Sequence, residues 1–423
     1  MSLSVDIRKR LGAFELDVAF TSDDASETLA LLGASGSGKS VALKCIAGIE
    51  RPDEGRIVLN GRVLFDSAAH VDVAVQERRV GYLFQSYALF PTMTVEQNVL
   101  VGVREGSRAE RLARAHEQIR AFRLEGLERH RPAQLSGGQQ QRCALARIMA
   151  NGPELLLLDE PFSALDEYLR WQLDLELADT LRAFPGGVVF VTHNRDEVYR
   201  MCDRVCVLTN GRSGRTVPTH GLFDLPVTLA EAVISGCKNV GAAHATGPHA
   251  LSCEEWGVEL ACARDASGAD YVGVRAHDLR VIEADGRLVD VGGRDAGRAP
   301  VGGPRADVAC AREMGIAGMR DAGAPGMGAA APARIPNRIP CSVARVIDNV
   351  FSTIVMCETP AGAQLRVELG KQEWAALGSP ERVTLAVDPA DVMPLASAGH
   401  ADASPEGRDD GADRRDAEAT PHA

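Results

Sequence analysis

Residues 33–40, which read GASGSGKS, constrain the fold of this 423-residue chain more than any other segment. They fit the pattern G-x-x-x-x-G-K-[ST] and directly follow an apolar run at 29–32, which is typical of a buried parallel strand. Glycines allow successive backbone N–H groups to point at a phosphate, and a following helix presents the positive end of its dipole to the same charge. The segment therefore predicts an α/β fold with a phosphate-binding loop.

The residues of this loop have different predicted roles. Lys39 is expected to reach the β- and γ-phosphates of a nucleotide, and Ser40 is expected to bind Mg²⁺. The other loop positions expected to contact the nucleotide are Gly33, Ser35, Gly36 and Gly38.

A pair of acidic residues supplies the second half of the predicted site. Four leucines at 155–158 are followed by Asp159 and Glu160, which places both acids at the end of a buried strand. Asp159 would hold Mg²⁺ directly or through water, and Glu160 would orient and deprotonate the attacking water. Acids also cap strand ends for structural reasons, but the phosphate loop upstream favours the catalytic interpretation.

The surrounding pattern is consistent with an α/β fold. Apolar residues alternate with polar ones at 3–7 and 14–20, which predicts half-buried, antiparallel strands. Asn60-Gly61 between two apolar runs predicts a hairpin. The chain becomes helical and polar from about 94 to 150, and residues 188–191 predict another buried strand.

Residues 135–142, LSGGQQQR, resemble the signature of ATP-binding cassette (ABC) proteins. The segment opens a predicted helix, so it offers an anion site at a helix N-terminus. The resemblance covers 1–235 and implies a P-loop NTPase of the ABC type, with a mixed parallel core sheet, an antiparallel β subdomain and a helical subdomain. It also implies that ATP and Mg²⁺ are the cofactors. The signature residues expected to contact ATP are Ser136, Gly137, Gly138 and Gln139.

Three further residues match motifs of the same family. Gln85 matches the Q-loop glutamine, which senses Mg²⁺ and the γ-phosphate, and His193 matches the switch histidine. Asp166, in the segment SALD, matches the D-loop, which crosses the dimer interface. Phe14 is the aromatic residue nearest the expected adenine-stacking position, but its place on the alternating face of a strand favours a core role.

Family resemblance implies that hydrolysis requires a homodimer. One subunit holds ATP on its Lys39 side, and the Ser136 loop of a second ATPase subunit closes over the γ-phosphate. Closure is then driven by the stronger binding of ATP to the closed state.

The remainder of the chain is expected to form a small β-rich accessory domain of the TOBE/MOP type at 240–395. A linker at 285–338, with 11 Gly, 12 Ala and 5 Pro in 54 residues, should interrupt it without folding. The acidic tail at 396–423 is expected to be disordered for the same reason. The pair Cys202 and Cys206 lacks a second ligand pair and does not predict a zinc site.

Composition and resemblance together suggest an importer subunit. The net charge of −12 argues against nucleic-acid binding, and no run is long and apolar enough to span a membrane. The implied partners are transmembrane permease subunits and, indirectly, an extracytoplasmic substrate-binding protein, with the chain peripheral on the cytoplasmic face of the cell membrane. Tyr87 to Pro91, directly after Gln85, is predicted to be an exposed apolar loop that receives a permease helix; packing inside the helical subdomain is the alternative.

The cargo is suggested only by ancestry, because the cassette does not touch it. Residues 81–99, the hairpin sequence GRVLFD at 61–66 and the segments at 236–239 and 274–278 are similar to those of molybdate and sulfate importer ATPases. Molybdate is the first expectation, and sulfate or thiosulfate the second. A stand-alone cytosolic ATPase and a non-hydrolysing regulatory cassette are the alternatives; the accessory domain argues against the first, and the intact Glu160 and His193 argue against the second.

Overall fold

The structure is a computed structural model, and it describes residues 2–22, 27–162, 167–282 and 337–397. The chain divides into two compact units. One extends to Gly236 and resumes at Leu395, and the other is Cys237–Pro394. None of the helices in these described ranges is both long and apolar enough to cross a lipid bilayer.

The first unit is built around one eleven-stranded sheet. Its strands are β1 (Leu3–Leu11), β2 (Phe14–Ser22), β3 (Thr28–Leu32), β4 (Glu54–Leu59), β5 (Arg62–Asp66), β6 (Val71–Asp72), β7 (Val80–Leu83), β8 (Leu155–Asp159), β9 (Gly187–Thr192), β10 (Arg204–Thr209) and β11 (Arg212–Pro218). Their order is β6-β5-β4-β1-β2-β11-β10-β3-β9-β8-β7. Strands β10, β3, β9, β8 and β7 pair in parallel, whereas β1, β2, β4, β5 and β6 form antiparallel pairs.

The helices of this unit pack on the sheet and on one another. They are α1 (Lys39–Ala47), α2 (Val95–Gly102), α3 (Arg108–Ala121), α4 (Gly137–Met149), α5 (Glu167–Ala183), α6 (Arg195–Met201), α7 (Thr219–Asp224) and α8 (Leu229–Ile234), with short 3₁₀ turns at Val75–Glu77 and Pro132–Gln134. The fold thus has the mixed core sheet, antiparallel part and helical part expected of an ABC-type P-loop NTPase.

The central parallel strands are buried on both faces, as their continuous apolar sequences predict. In β3, Leu29 and Leu31 belong to the cluster formed with α1 and the antiparallel strands, whereas Ala30 and Leu32 belong to the cluster formed with α2 to α5. The hairpin prediction is also confirmed, because Asn60 and Gly61 join β4 to β5 with φ angles of 52° and 77°. These two cores fix the strand ends on which the site is built.

The second unit is rich in β-structure. Its elements are β12 (Asn239–Ala242), β13 (His244–Gly247), β14 (Ala250–Cys253), β15 (Val258–Ala261), β16 (Tyr271–Val274), β17 (Arg280–Ile282), β18 (Asn337–Asp348), β19 (Ser352–Glu358), β20 (Gln364–Gly370), α9 (Lys371–Ala376), β21 (Arg382–Val387) and β22 (Met393–Leu395). They form sheets of order β12-β16-β22, β13-β14-β15 and β17-β21-β18-β19-β20.

Two sequence boundaries need correction. Asn337 and Arg338, assigned to the linker, lie in β18, where Asn337 pairs with Val387 and its side chain bonds both backbone groups of Ala261 at 2.7 and 2.8 Å. Ala396, assigned to the tail, forms a bridge with Thr228. The predictions for the rest of the linker and for 398–423 lie outside the described residues.

Candidate nucleotide-binding and hydrolysis site

The phosphate loop joins the end of β3 to the start of α1. Gly38 is the N-cap of α1 and has a φ of 101°, a left-handed conformation that favours glycine. A Cβ at Gly38 would lie 2.6 Å from Cδ1 of Leu16 and 2.9 Å from Cζ of Phe14, so a side chain here would also displace residues of the strand beneath the loop. Phe14 is half-buried, and its ring lies against the loop while it packs on the core.

Lys39 occupies the interior of this loop. Its side chain is buried, and Nζ donates hydrogen bonds of 2.8 Å to the carbonyl oxygens of Gly33 and Ala34. Burial lowers the pKa of Lys39, while the charges of Glu160 and Asp159 oppose that shift. The loop therefore holds a cation where the phosphates of a nucleotide are expected, with Ser35 and Gly36 exposed beside it.

Asp159 is held through both of its carboxylate oxygens. Ser40 Oγ donates to Oδ1 at 2.7 Å, and the Tyr82 hydroxyl donates to Oδ2 at 2.8 Å. Burial, the charge of Asp159 and the hydrogen bond to it raise the pKa of Tyr82 far above its ordinary value, so the phenol remains a donor. Ser40 and Asp159, which are 119 residues apart, thus meet as the sequence predicts.

Glu160 follows Asp159 at the end of β8 and contacts His193, which follows β9. His193 Nδ1 lies 3.2 Å from Glu160 Oε1. Glu160 has a φ of 44°, an uncommon backbone conformation for a residue other than glycine, and its N–H donates to the Val191 carbonyl at 2.9 Å. Backbone strain of this kind clusters at functional sites, where surrounding contacts hold it in place.

Sheet topology explains why these residues gather. The phosphate loop follows β3, and His193 follows β9. Asp159 ends β8 with Glu160 next to it, and Gln85 comes after β7. These four strands are parallel neighbours. Their carboxyl ends share one edge of the sheet, the usual place for a ligand in open α/β folds. Gln85 is exposed at this edge, after Phe84 at the end of β7. We call this group of residues the nucleotide edge.

The signature segment is built differently. Ser136 is the N-cap of α4 and forms a capping box with Gln139, with Ser136 N–H donating to Gln139 Oε1 at 2.9 Å. Gly138 is buried, and a Cβ there would lie 2.9 Å from Cδ1 of Leu173, so α4 packs closely on α5 at this position and a larger residue would displace the Leu173 side chain. In the described part of the chain, no side-chain hydrogen bond joins Ser136 or Gln139 to the nucleotide edge. Ser136 is exposed and Gly137 beside it is half-buried.

Of the remaining predicted residues, one is not among the described residues and another is buried where the sequence predicted exposure. Asp166 lies outside the described residues. Tyr87, predicted to be an exposed permease anchor, is 3% exposed and packs in the core with α2 and α4. Its hydroxyl donates to the Pro161 carbonyl at 3.3 Å, which explains why the side chain turns inward. Phe90 is 42% exposed, with the Arg147 guanidinium 5.4 Å from its ring centroid.

Sequence reasoning missed two residues that support the site. Tyr82 bonds Asp159, and its position in the strand before Gln85 was a usable signal, since that strand neighbours β8. Arg78 is fully buried and donates to the Cys45 and Ile46 carbonyls at 2.9 Å. These bonds provide partners for carbonyl groups in the last turn of α1. Nothing in the sequence around Arg78 distinguishes it from an exposed arginine.

The sequence profile of the family described as ABC transporter matches residues 17–163. The spermidine/putrescine import ATP-binding protein of Methylococcus capsulatus is 44% identical over 265 residues, 60% of this chain and 67% of that protein. The molybdenum import ATP-binding protein of Paramagnetospirillum magneticum is 38% identical over 53% of this chain and 61% of its own length, so less than two thirds of that relative is spanned.

A third relative is spanned more fully. The sulfate/thiosulfate import ATP-binding protein of Rhizobium meliloti is 40% identical over 66% of this chain and 80% of its own length. A solved ATP-binding cassette, described as a dimer in a post-hydrolysis state bound to ADP and Pi, is 30% identical and covers 52% of this chain with a TM-score of 0.44. With a phosphate loop, an acidic strand end and a signature helix in this arrangement, and with relatives spanned over most of their length, the chain belongs to the ABC transporter family and is one of its ATPases.

Proposed function

We propose that this chain is the ATP-hydrolysing subunit of an importer, in which two copies bind ATP between them and couple its hydrolysis to uptake of a substrate. One observation supports this most strongly. Lys39, Ser40, Asp159, Glu160 and His193 converge on the nucleotide edge. Ser136 and Gln139 of the signature segment instead bond each other in the cap of α4, and in the described part of the chain neither makes a side-chain hydrogen bond to that edge. Each subunit therefore carries half of two sites.

The phosphate loop binds the nucleotide in this proposal. Gly33, Ser35, Gly36 and Gly38 provide backbone N–H groups, and Lys39 provides positive charge for the β- and γ-phosphates. The Ser40 hydroxyl and the Asp159 carboxylate are hard oxygen ligands of the kind that Mg²⁺ takes together with phosphates and water. Bound Mg²⁺ would neutralise charge on the phosphates, and Gln85 at the same edge would be a further ligand.

Glu160 is the proposed general base. It lies beside Asp159, and its contact with His193 at 3.2 Å fixes the position of the carboxylate. A carboxylate held in this way can orient a water molecule and accept its proton as the water attacks the γ-phosphate. His193 and Gln85 then contact the γ-phosphate and the water from the two neighbouring strand ends.

The second subunit completes the site. Its Ser136, Gly137, Gly138 and Gln139 would present the N-terminal end of α4 to the γ-phosphate, and Asp166 would cross the interface. The N-terminus of α4 and the γ-phosphate are chemically complementary, because a helix N-terminus favours an anion. ATP is therefore the main link between the subunits, and its hydrolysis would release them.

As the ATPase of an importer, the chain would also bind proteins in the membrane. The chain would bind transmembrane permease subunits on the cytoplasmic face of the cell membrane, and a substrate-binding protein would act with it indirectly. Phe90 remains the proposed contact in the loop after Gln85, since its ring is exposed while Tyr87 is buried. Arg147 of α4 donates to the carbonyls of Tyr87 and Ala88 at 3.0 and 2.7 Å, which connects this loop to the signature helix.

We propose molybdate as the cargo and sulfate or thiosulfate as the second candidate, on the sequence resemblances described above. Spermidine/putrescine is a third candidate, which the 44% identity to a polyamine import protein favours. Uptake of each labelled substrate by cells that carry the chain with its permease would separate the three.

The proposed site is tested with Glu160→Gln, which keeps the side-chain shape and removes the base. We expect ATP to bind normally, turnover to fall by about 10²–10⁴, and an ATP-dependent dimer to accumulate, as measured by light scattering. Adding Ser136→Arg to this variant should leave ATP bound to the monomer and abolish the dimer, because the arginine side chain occupies the exposed cap that meets the partner.

The matched control is Ser107→Arg in the same background. Ser107 is also an exposed N-cap with a capping box, formed with Glu110, and it begins α3. The dimer should survive this change. Near-normal turnover by Glu160→Gln would refute the base assignment, and loss of the dimer with Ser107→Arg would refute the assignment of Ser136 to the interface.

A further inference from the structure

Tyr82 makes a contact that the proposed roles of Lys39, Glu160 and the signature segment do not include. Its hydroxyl donates to Oδ2 of Asp159 at 2.8 Å, while Ser40 donates to Oδ1 at 2.7 Å. The two donors come from different elements, since Tyr82 lies in β7 and Ser40 in α1. One carboxylate is therefore held from both sides by groups that carry no charge.

Position in the sheet makes Tyr82 suited to this contact. Strand β7 pairs with β8 in parallel register, with Tyr82 opposite Leu157, two residues before Asp159. The Tyr82 ring is half-buried and stacks at a tilt on Phe84, with centroids 4.4 Å apart. Ring and backbone are thus both fixed, and the hydroxyl has a defined place at the carboxyl end of β8.

The second hydrogen bond has a specific consequence for Asp159. The terminal torsion of an aspartate is broad and allows the carboxylate plane to rotate. With Oδ1 held by Ser40 and Oδ2 held by Tyr82, rotation would break one of the two bonds. Each oxygen still has a lone pair available, because a carboxylate can accept about four hydrogen bonds or ligands in all.

We propose that Tyr82 is a positioning residue for the Mg²⁺–nucleotide complex, which acts by fixing the orientation of the Asp159 carboxylate. This inference deepens the proposed function and rests on it, because it takes Asp159 as an anchor for Mg²⁺. Residues that orient a metal ligand through a hydrogen bond typically change metal affinity or activity by about 10–100-fold when they are mutated. Tyr82 would add nothing to the binding of nucleotide without metal.

The test is Tyr82→Phe, which keeps the ring and removes only the hydroxyl. Two quantities are measured on the full chain: the affinity for ADP in EDTA and in Mg²⁺ by calorimetry, and the Mg²⁺ concentration that gives half-maximal ATPase at saturating ATP. We expect ADP affinity in EDTA to be unchanged, the tightening by Mg²⁺ to shrink by about tenfold, and half-saturation to shift to about tenfold higher Mg²⁺.

Tyr87→Phe is the matched control. It also removes a buried phenol hydroxyl, one that donates to the Pro161 carbonyl rather than to Asp159. Its Mg²⁺ dependence should equal that of the unmodified chain. Tyr82→Met, which lacks the hydroxyl and the ring, provides a second variant if Tyr82→Phe folds poorly, and it should show the same shift in Mg²⁺ dependence.

The outcomes are distinct. Unchanged Mg²⁺ dependence in folded Tyr82→Phe overturns the inference, and so does an equal loss of ADP affinity in EDTA and in Mg²⁺, which would indicate a general structural role. An equal shift in Tyr87→Phe would also overturn it. If the unmodified chain hydrolyses ATP without Mg²⁺, the proposed function itself fails, whatever Tyr82 does.

Discussion

The nucleotide edge and the signature segment lie in the same unit, yet they are built in opposite ways. At the nucleotide edge, residues far apart in sequence bond one another: Ser40 with Asp159, Tyr82 with Asp159, and Glu160 with His193. At the signature segment, Ser136 and Gln139 bond each other, three residues apart. The first arrangement depends on tertiary structure, and the second is complete within one helix turn.

This difference indicates what each region requires. The nucleotide edge brings a cation, hydroxyl donors and carboxylates together at the ends of parallel strands, which are the groups that the proposed nucleotide with Mg²⁺ would need from one subunit. The cap of the signature segment offers a helix N-terminus and a serine hydroxyl, which favour an anion. The arrangement fits a site whose second half arrives with another subunit.

The largest expected change in stability concerns the loop after Gln85, where Tyr87 is buried and Phe90 is exposed. Tyr87→Ala should lower the free energy of unfolding by about 3–5 kcal/mol, because it removes a buried ring that packs in the core and bonds Pro161 next to Glu160. Phe90→Ala should cost about 1 kcal/mol or less, since an exposed ring loses mainly its contact with Arg147.

Denaturant unfolding of the isolated chain measures both changes, and the two variants serve as controls for each other. Equal destabilisation would contradict the assignment of Tyr87 to the core and Phe90 to the surface. Affinity for the detergent-solubilised permease should instead fall only in Phe90→Ala.

Lys39→Met tests the contribution of the nucleotide edge to nucleotide affinity. Lys39 is the buried cation of the nucleotide edge, and truncating one member of a buried charge pair typically costs about 2–5 kcal/mol. Nucleotide affinity measured by calorimetry should fall by about 30-fold or more, at the scale of about 1.4 kcal/mol for each factor of ten.

Lys44→Met is the control, because Lys44 lies in the last turn of the same helix. It should leave nucleotide affinity unchanged. Equal losses of nucleotide affinity in Lys39→Met and Lys44→Met would contradict the assignment of Lys39 as the residue that binds the phosphates.

Ser136→Ala tests the signature segment and has the smallest expected effect. Loss of an N-cap hydroxyl costs about 1 kcal/mol of stability, and Ser107→Ala at the start of α3 should cost the same, since both serines form equivalent capping boxes. Only Ser136→Ala should also lower ATPase activity, by about tenfold or more, because a hydrogen bond to a charged group contributes about 1.5–3 kcal/mol.

Thermal unfolding and steady-state turnover separate the two contributions. An equal fall in turnover for both serine variants would show that cap stability alone matters, and the proposed contact with a partner's nucleotide would then be wrong.

Motifs tied to local geometry were predictable from the sequence. The loop at 33–40 follows a buried strand and opens a helix, and Asn60-Gly61 forms the hairpin, because glycine conformations and apolar runs act over a few residues. The adjacency of Ser40 and Asp159 was also predictable, since parallel strand ends share an edge. The roles assigned to Gln85, Ser136 and Asp166 remain proposals, and Asp166 is not among the described residues.

Other features depended on how strands and helices pack. The sequence predicted Tyr87 to be exposed in a surface loop, which is wrong, and its burial follows from the place that α2 and α4 take around it. The contact between Tyr82 and Asp159 joins residues 77 positions apart, and it exists because β7 pairs with β8 in one register. Residue types and short-range patterns determined the chemistry that is available, whereas strand order and register decided which side chains meet, because those depend on contacts that no local segment encodes.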